Sequence, residues 1–186
     1  MAKKISPNYL HNASLFYLER FASSAENLRR VLQRKVMRAA REHETDIDEA
    51  DKWIEDEIIK LIRIGLLDDT AYTQMRIHSS RTSGASTSKI RAQLMQKGVD
   101  ADLIDAELDE DDESERRAVF RYAQRRRLGP FRTKRTPESD RKDLAALARA
   151  GFSYSIARTI TDADDTETLE KSLKDYSLSP DRRIGG

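Results

Sequence analysis

Three histidines, His11, His43 and His78, are the side chains of this chain best suited to hold a metal or move a proton near neutral pH. Each falls on a different expected helix and none has a histidine four residues away. Neither a ligand pair nor an HExxH arrangement can form. Carboxylates are abundant but lie in runs, "DIDEADKWIEDE" and "DAELDEDDESE". Such runs are solvated helix faces or enrichments at helix starts. "DEDDE" lacks the spaced ligands and the glycine of a calcium loop. Glycines come singly apart from the terminal pair, so no glycine-rich phosphate cradle is present. The chain has no cysteine, which excludes disulfides, thiolate metal sites, iron–sulfur clusters and a cysteine nucleophile. The expectation is a protein that is not an enzyme and carries no metal and no cofactor.

The chemistry left is that of charge. The 186 residues include 34 Lys and Arg against 33 Asp and Glu, a net charge of +1, so only the distribution of charge can point to a partner. That distribution is segregated. Arg29, Arg30, Arg34, Lys35, Arg38 and Arg41 crowd one stretch. Arg76, Arg81, Lys89, Arg91 and Lys97 precede a cluster between Asp100 and Asp112 that is all acid. Arg116, Arg117, Arg121, Arg125, Arg126, Arg127, Arg132, Lys134 and Arg135 form a third group, with few acids near them in sequence. Long cationic side chains can simply cover apolar surface and pair locally. The alternative is a binding surface made from Arg34, Lys35, Arg38, Arg76, Arg81, Lys89, Arg91, Lys97, Arg121, Arg125, Arg126, Arg127, Arg132, Lys134 and Arg135. Tyr122 and Phe131 would then be available for stacking on bases. Arg91 and Lys97 should point away from Ile90 and Leu94 on their helix. Leu67, Tyr72, Leu94, Ile104 and Phe152 are expected to serve structure.

Helices must carry these residues. Hydrophobic content is 38% and charged content 36%, the balance of slender helical layers with much solvated surface. Period-two runs of β-branched residues are absent. Ser6-Pro7 starts a first helix, with Leu10, Leu15, Tyr17, Leu18 and Phe21 as its apolar face. Ser23 is expected to cap a second, with Glu26 completing a capping box; Leu28, Val31, Leu32, Val36 and Met37 are its stripe. A third follows Asp46 with Trp53, Ile54, Ile58, Leu61 and Ile62, and Gly65 ends it. Asp68 or Asp69 caps a fourth. "STSKIRAQLMQKGVDADLIDAEL" supplies a fifth and sixth around Gly98. A seventh starts near Asp112, an eighth at Thr136-Pro137 and a ninth at Ser153. Beyond about Asp162 the chain is polar, and a frayed tail with a weak helix near Leu169 is expected. No run of about 18 apolar residues exists, and the first residues have no apolar signal core, so a cytosolic protein is the simple expectation.

One unit recurs. "SSAENLRRVLQRKV", "STSKIRAQLMQKGV" and "ESDRKDLAALARAGF" share a capping residue, an apolar residue, a Leu and a small or apolar stop. The spacing is Leu28, Leu32, Val36 in the first and Ile90, Leu94, Gly98 in the second. In the third, Leu147 and Gly151 are in register, but Asp143 sits where an apolar residue belongs, and Leu144 is expected to serve that face. Each copy follows an aromatic-bearing helix; a short capped helix, "DADLIDAEL" or "SYSIARTI", follows the second and third copies, and a longer one, "DEADKWIEDEIIKLIRIGLL", follows the first. The expected fold is therefore all-α, three tandem three-helix repeats forming an elongated, curved rod: residues 1–67, 68–111 and 112–163, then a flexible tail, 164–186.

The stretches "ASLFYLERFASSAENLRRVLQRK", "IGLLDDTAY", "KIRAQLMQKGVDADLIDAEL" and "ALARAGFSYSIARTI" resemble the RecX family, bacterial regulators of the RecA recombinase. The likeness covers roughly residues 13–160. Two places depart from it: Val36 stands where glycine is usual, and the stretch from Gly129 to Pro137 looks inserted. The resemblance implies a cytoplasmic, nucleoid-associated bacterial regulator, a monomer. It would lie in the groove of the RecA–single-stranded DNA filament and lower recombinase, ATPase and coprotease activity in DNA repair and the SOS response. A helical-repeat protein that binds nucleic acid without RecA, or a scaffold for another protein, remains open from the residues alone.

Overall fold

A computed structural model describes residues 4–109 and 112–175. Among these, every regular element is helical. The α-helices are α1 (Pro7–Leu18), α2 (Ala25–Ala39), α3 (Ile47–Arg63), α4 (Asp69–Thr82), α5 (Thr87–Gln96), α6 (Ala101–Asp109), α7 (Asp112–Arg126), α8 (Pro137–Arg149), α9 (Tyr154–Asp162) and α10 (Thr166–Asp175). A short 3₁₀ turn, Gly129–Phe131, lies between α7 and α8. None of the described helices is long and apolar enough to cross a membrane. The chain divides into two compact units, residues 1–75 with 94–104, and residues 76–93 with 105–186.

In the first unit, α1, α2 and α3 close around Leu10, Leu28, Leu32, Val36, Ile54, Ile58 and Leu61. These are the i, i+4 positions of the sequence pattern, and burying them supplies the main drive to fold. The face expected for α1 is only half correct. Leu10 is buried, but Leu15 and Phe21 are exposed, as are Met37 and Ile62. Three helices enclose only one side of each partner, and these residues lie beyond that side. The cap of α2 is Ser24 rather than Ser23, its side chain accepting from the Asn27 N–H at 3.2 Å. Glu26 is thereby released from the expected capping box and pairs with Arg29 and Arg30. His11 Nδ1 lies 2.8 Å from the buried Glu57 carboxylate.

In the second unit, Val119, Ala123, Leu147, Phe152, Ala157, Ile160 and Leu169 form the core. Leu169 is fully buried and belongs to a regular α10, so the expected tail carries ordered structure as far as Asp175; residues 176–186 lie outside the described residues. Leu144 packs half-buried against this core, as expected, yet Asp143 also keeps the buried register. Asp143 is 1% exposed and accepts from the Gly129 N–H at 2.9 Å and from the Arg132 guanidinium. A carboxylate in the register of an apolar residue thus ties down the loop between α7 and α8, and its charge is met by two donors. Arg135 completes the tie, pairing with Asp140 at 3.0 Å and donating to the carbonyls of Thr161 and Ala163.

One contact occurs twice, once in each unit. The Ser24 hydroxyl, at the start of α2, donates to the Lys97 carbonyl at the end of α5. The Ser86 hydroxyl, at the start of α5, donates to the Ala150 carbonyl at the end of α8, at 2.7 Å. A glycine follows each acceptor. Gly98 and Gly151 have φ of +74° and +87°, the left-handed conformation that ends a helix at little cost only without a Cβ. A Cβ at Gly98 would meet Glu26, and one at Gly151 would lie 2.7 Å from Ser86 Oγ. Beside each hydroxyl a second bond recurs: the Ala25 N–H donates to Asp69 at the start of α4, and the Thr87 N–H to Glu115 in the first turn of α7, both at 2.8 Å. The two candidate caps of α4 therefore divide the work. Asp68 caps α4 itself, accepting from Ala71, while Asp69 reaches α2.

Two predictions concern these contacts, one for the second joint and one for the buried Asp143. Ser86→Ala should cost about 1–2 kcal/mol, a lost hydrogen bond and helix cap, and Gly151→Ala at least about 1–2 kcal/mol of left-handed strain. Because the Cβ strikes Ser86, the double variant should lose less than the sum in urea unfolding; simple additivity would show that the two residues do not form one joint. Asp143→Ala should cost about 3 kcal/mol by breaking a buried ion pair and orphaning the Gly129 N–H. A midpoint of denaturation unchanged within error would refute that role.

Candidate partner-binding surface

The fifteen candidate cations separate into those the fold consumes and those it leaves facing solvent. Arg81 is consumed. It is 4% exposed, donates to the Ala85 carbonyl at 3.1 Å and to Thr87 Oγ1 at 2.7 Å, and lies 3.7 Å from Glu115. It buttresses the second joint and has no surface to offer. Arg132 and Arg135 are consumed by the α7–α8 loop, and the Asp143 carboxylate raises the Arg132 pKa above its ordinary value through their hydrogen bond. Their partners, Asp143 and Asp140, come from the helix that follows the basic run, so the scarcity of acids within the run misleads for these two. Arg91 pairs with Asp105, and Lys97 reaches Asn27 Oδ1 at 3.3 Å. Both are half-buried.

The surface set remains. On α2, the first half of the basic run is paired: Arg29 with Glu26 and Glu55, Arg30 with Glu26. The Arg29 bond holds the Glu55 carboxyl below the usual carboxylate range. Arg34 and Arg38, one turn apart, are exposed, and Lys35 is half-buried beside them. Arg76 on α4 is likewise half-buried.

The second unit gathers more. A cleft of about 800 Å³ opens between the start of α5 and the ends of α7 and α8. Lys89, Arg125, Arg126 and Arg149 line it, with Tyr122 on one wall and small residues such as Gly84, Ala85 and Ala146 on the floor. No carboxylate is among its lining residues. Small floor residues let a ligand approach the backbone, and four cations in a concave surface focus positive potential. Arg125 is fixed there, donating to the Ser83 carbonyl at 2.8 Å with its guanidinium 5.9 Å from the Tyr122 ring. Arg121 also bonds backbone, the Arg81 carbonyl at 3.4 Å.

A smaller hollow of about 490 Å³ adjoins through Arg126, which it shares with Arg127, Arg132, Thr133 and Lys134. Arg127 has φ of +55°, the one non-glycine residue with positive φ among the described residues. The chain ends α7 on a left-handed residue, where glycine is the low-cost choice, and keeps a cation there instead.

Sequence reasoning missed Arg149, hidden in the apolar pattern of "ALARAGF"; its place in the last turn of α8, just before the glycine stop, is the signal that could have found it. Of the two proposed stacking residues, Tyr122 faces the cleft. Phe131 packs edge-on against Phe120, with centroids 5.2 Å apart, and lies against the core. The residues assigned to structure, Leu67, Tyr72, Leu94, Ile104 and Phe152, are all buried.

The family model for the RecX second three-helix domain matches residues 68–108. The chain is 46% identical over 166 residues to a regulatory protein RecX of Myxococcus xanthus, covering 87% of this chain and 89% of that one. It is 31% identical to a regulatory protein RecX of Agrobacterium fabrum, covering 92% and 91%. The fold is shared with the crystal structure of RecX from Lactobacillus salivarius, at a TM-score of 0.62 and 20% identity over 90% of this chain and 96% of that one. The chain, all-helical and matched along most of its length, belongs to the RecX family of regulatory proteins.

Proposed function

We propose that this chain regulates the RecA recombinase by lying in the groove of the RecA–single-stranded DNA filament, lowering recombinase, ATPase and coprotease activity. The observation that carries the reading is the basic cleft of the second unit, four cations with no lining carboxylate. Such a surface suits a target rich in phosphate or acidic side chains, and a filament groove presents both. The twice-used joint supports the organisation into three-helix units, residues 1–67, 68–111 and 112–163, each engaging the filament weakly and together strongly. No bond need be made or broken. A regulator that prefers one filament state over another shifts the population by that difference in affinity alone. The setting is bacterial cytoplasm, with the nucleoid reached through RecA.

The second reading, nucleic-acid binding without RecA, draws on Tyr122 beside the cleft cations. Salt separates the two. If the four cations meet single-stranded phosphates directly, the logarithm of the binding constant should fall with that of salt with a slope of about −3. Binding to DNA that equals binding to the filament would favour this reading.

Lys89→Glu with Arg149→Glu should weaken filament binding at least tenfold and restore DNA-dependent ATP hydrolysis by RecA, with the thermal midpoint unchanged. Full inhibition by the folded double variant would remove the cleft from the contact. Arg127→Gly should raise stability by up to about 1 kcal/mol, by relieving left-handed strain, and yet weaken binding. A variant that is less stable would show that the residue is not strained.

A further inference from the structure

The first unit has a concave surface of the opposite character. A groove of about 530 Å³ lies between the end of α1, the turn into α2, the turn after α3 and the start of α4. Leu15, Phe21, Leu66 and Met75 line it, and all four are large apolar side chains left in water, Phe21 56% exposed. Scattered apolar residues on a surface need no explanation, but four converging on one concavity do. Tyr72, buried, closes the floor. Its ionisable lining residues besides that tyrosine are Glu19 and Asp68, both acidic. The rim takes the C-terminal ends of α1 and α3 and the N-terminal ends of α2 and α4, so the helix dipoles offset one another and the two carboxylates set its sign.

We infer that this groove is a docking site for a protein segment that presents one or two large apolar side chains flanked by lysine or arginine. Charge argues for that occupant over the alternatives. A phosphate backbone would be repelled by Glu19 and Asp68 and would gain nothing from the leucine and phenylalanine. A segment with basic flanks meets both the apolar floor and the acidic rim. The groove thus complements the cleft of the second unit: one holds protein by apolar contact, the other is cationic. The inference rests on the proposed function for the identity of the protein that supplies the segment, a RecA protomer of the filament.

The variants Phe21→Ser and Met75→Ser, singly and together, change exposed side chains and should leave the circular dichroism melt intact. Binding of the full chain is measured to RecA filaments on single-stranded DNA, and to the same DNA without RecA. The expected result is a loss of filament affinity of tenfold or more in the double variant, with affinity for bare DNA unchanged. Glu19→Lys should weaken filament binding as well. Equal filament affinity of the double variant and the unaltered chain overturns the groove while leaving the proposed function standing. Failure of the unaltered chain to bind filaments overturns both. Sedimentation of the chain alone covers the remaining occupant: a dimer that these substitutions dissociate would assign the groove to a second copy and overturn the inference.

Discussion

The end of a helix leaves carbonyls without partners, and how this chain satisfies two of them governs its architecture. The Lys97 and Ala150 carbonyls each take a hydroxyl from the serine that begins another helix. The same hydroxyls accept N–H groups of their own first turns, from Asn27 and from Lys89. One oxygen therefore settles orphan groups at two helix ends at once. The geometry demands close approach, which is why a glycine follows each acceptor, and it places an acid, Asp69 or Glu115, where a neighbouring N–H needs an acceptor. Cap, glycine and acid are three parts of one device.

Much of the chain's positive charge is spent within the fold. Arg81, Arg132 and Arg135 bind carbonyls and carboxylates that would otherwise be buried unmet, work suited to a planar guanidinium with several fixed donors and poorly suited to lysine. The cations that remain are exposed: Arg34 and Arg38 on the outer face of α2, and the set around Lys89, Arg126, Arg127 and Lys134 on helix ends and a loop. A partner must read these, not the total. That total, near neutral, conceals a basic cleft in one unit and an acid-rimmed apolar groove in the other.

Periodicity and punctuation made the helices legible. Ser6-Pro7, Asp46, Thr136-Pro137 and Ser153 all begin helices as their types dictate, and Gly98 and Gly151 end them. The shift from Ser23 to Ser24 was not legible, because adjacent serines offer the same local chemistry and only the distant Lys97 carbonyl distinguishes them. Asp143 misled for a related reason. Pattern reading assigns a buried register to apolar residues, and the arginine that makes a buried carboxylate tolerable lies in a loop whose path the sequence does not reveal. Among the site residues, local spacing separated Arg91 from Ile90, but nothing local distinguishes the buried Arg81 from the exposed Lys89. Which face of Lys89 to Lys97 meets solvent follows from what α5 packs upon: Lys89 is open to the cleft, while Arg91 and Lys97 are held by Asp105 and Asn27.

The paired bonds of each joint fix a helix start at two points, and the chain between those points is free to differ. From Asp69 to Lys97 it runs through a short turn; from Glu115 to Ala150 it takes in the extra loop that Asp143 secures. Both paths deliver one carboxylate and one helix-end carbonyl to a serine and the residue after it. Length can therefore be added to or removed from this connection without disturbing the packing on either side, so insertions and deletions that separate related chains should collect there while the serine and the glycine keep their registration.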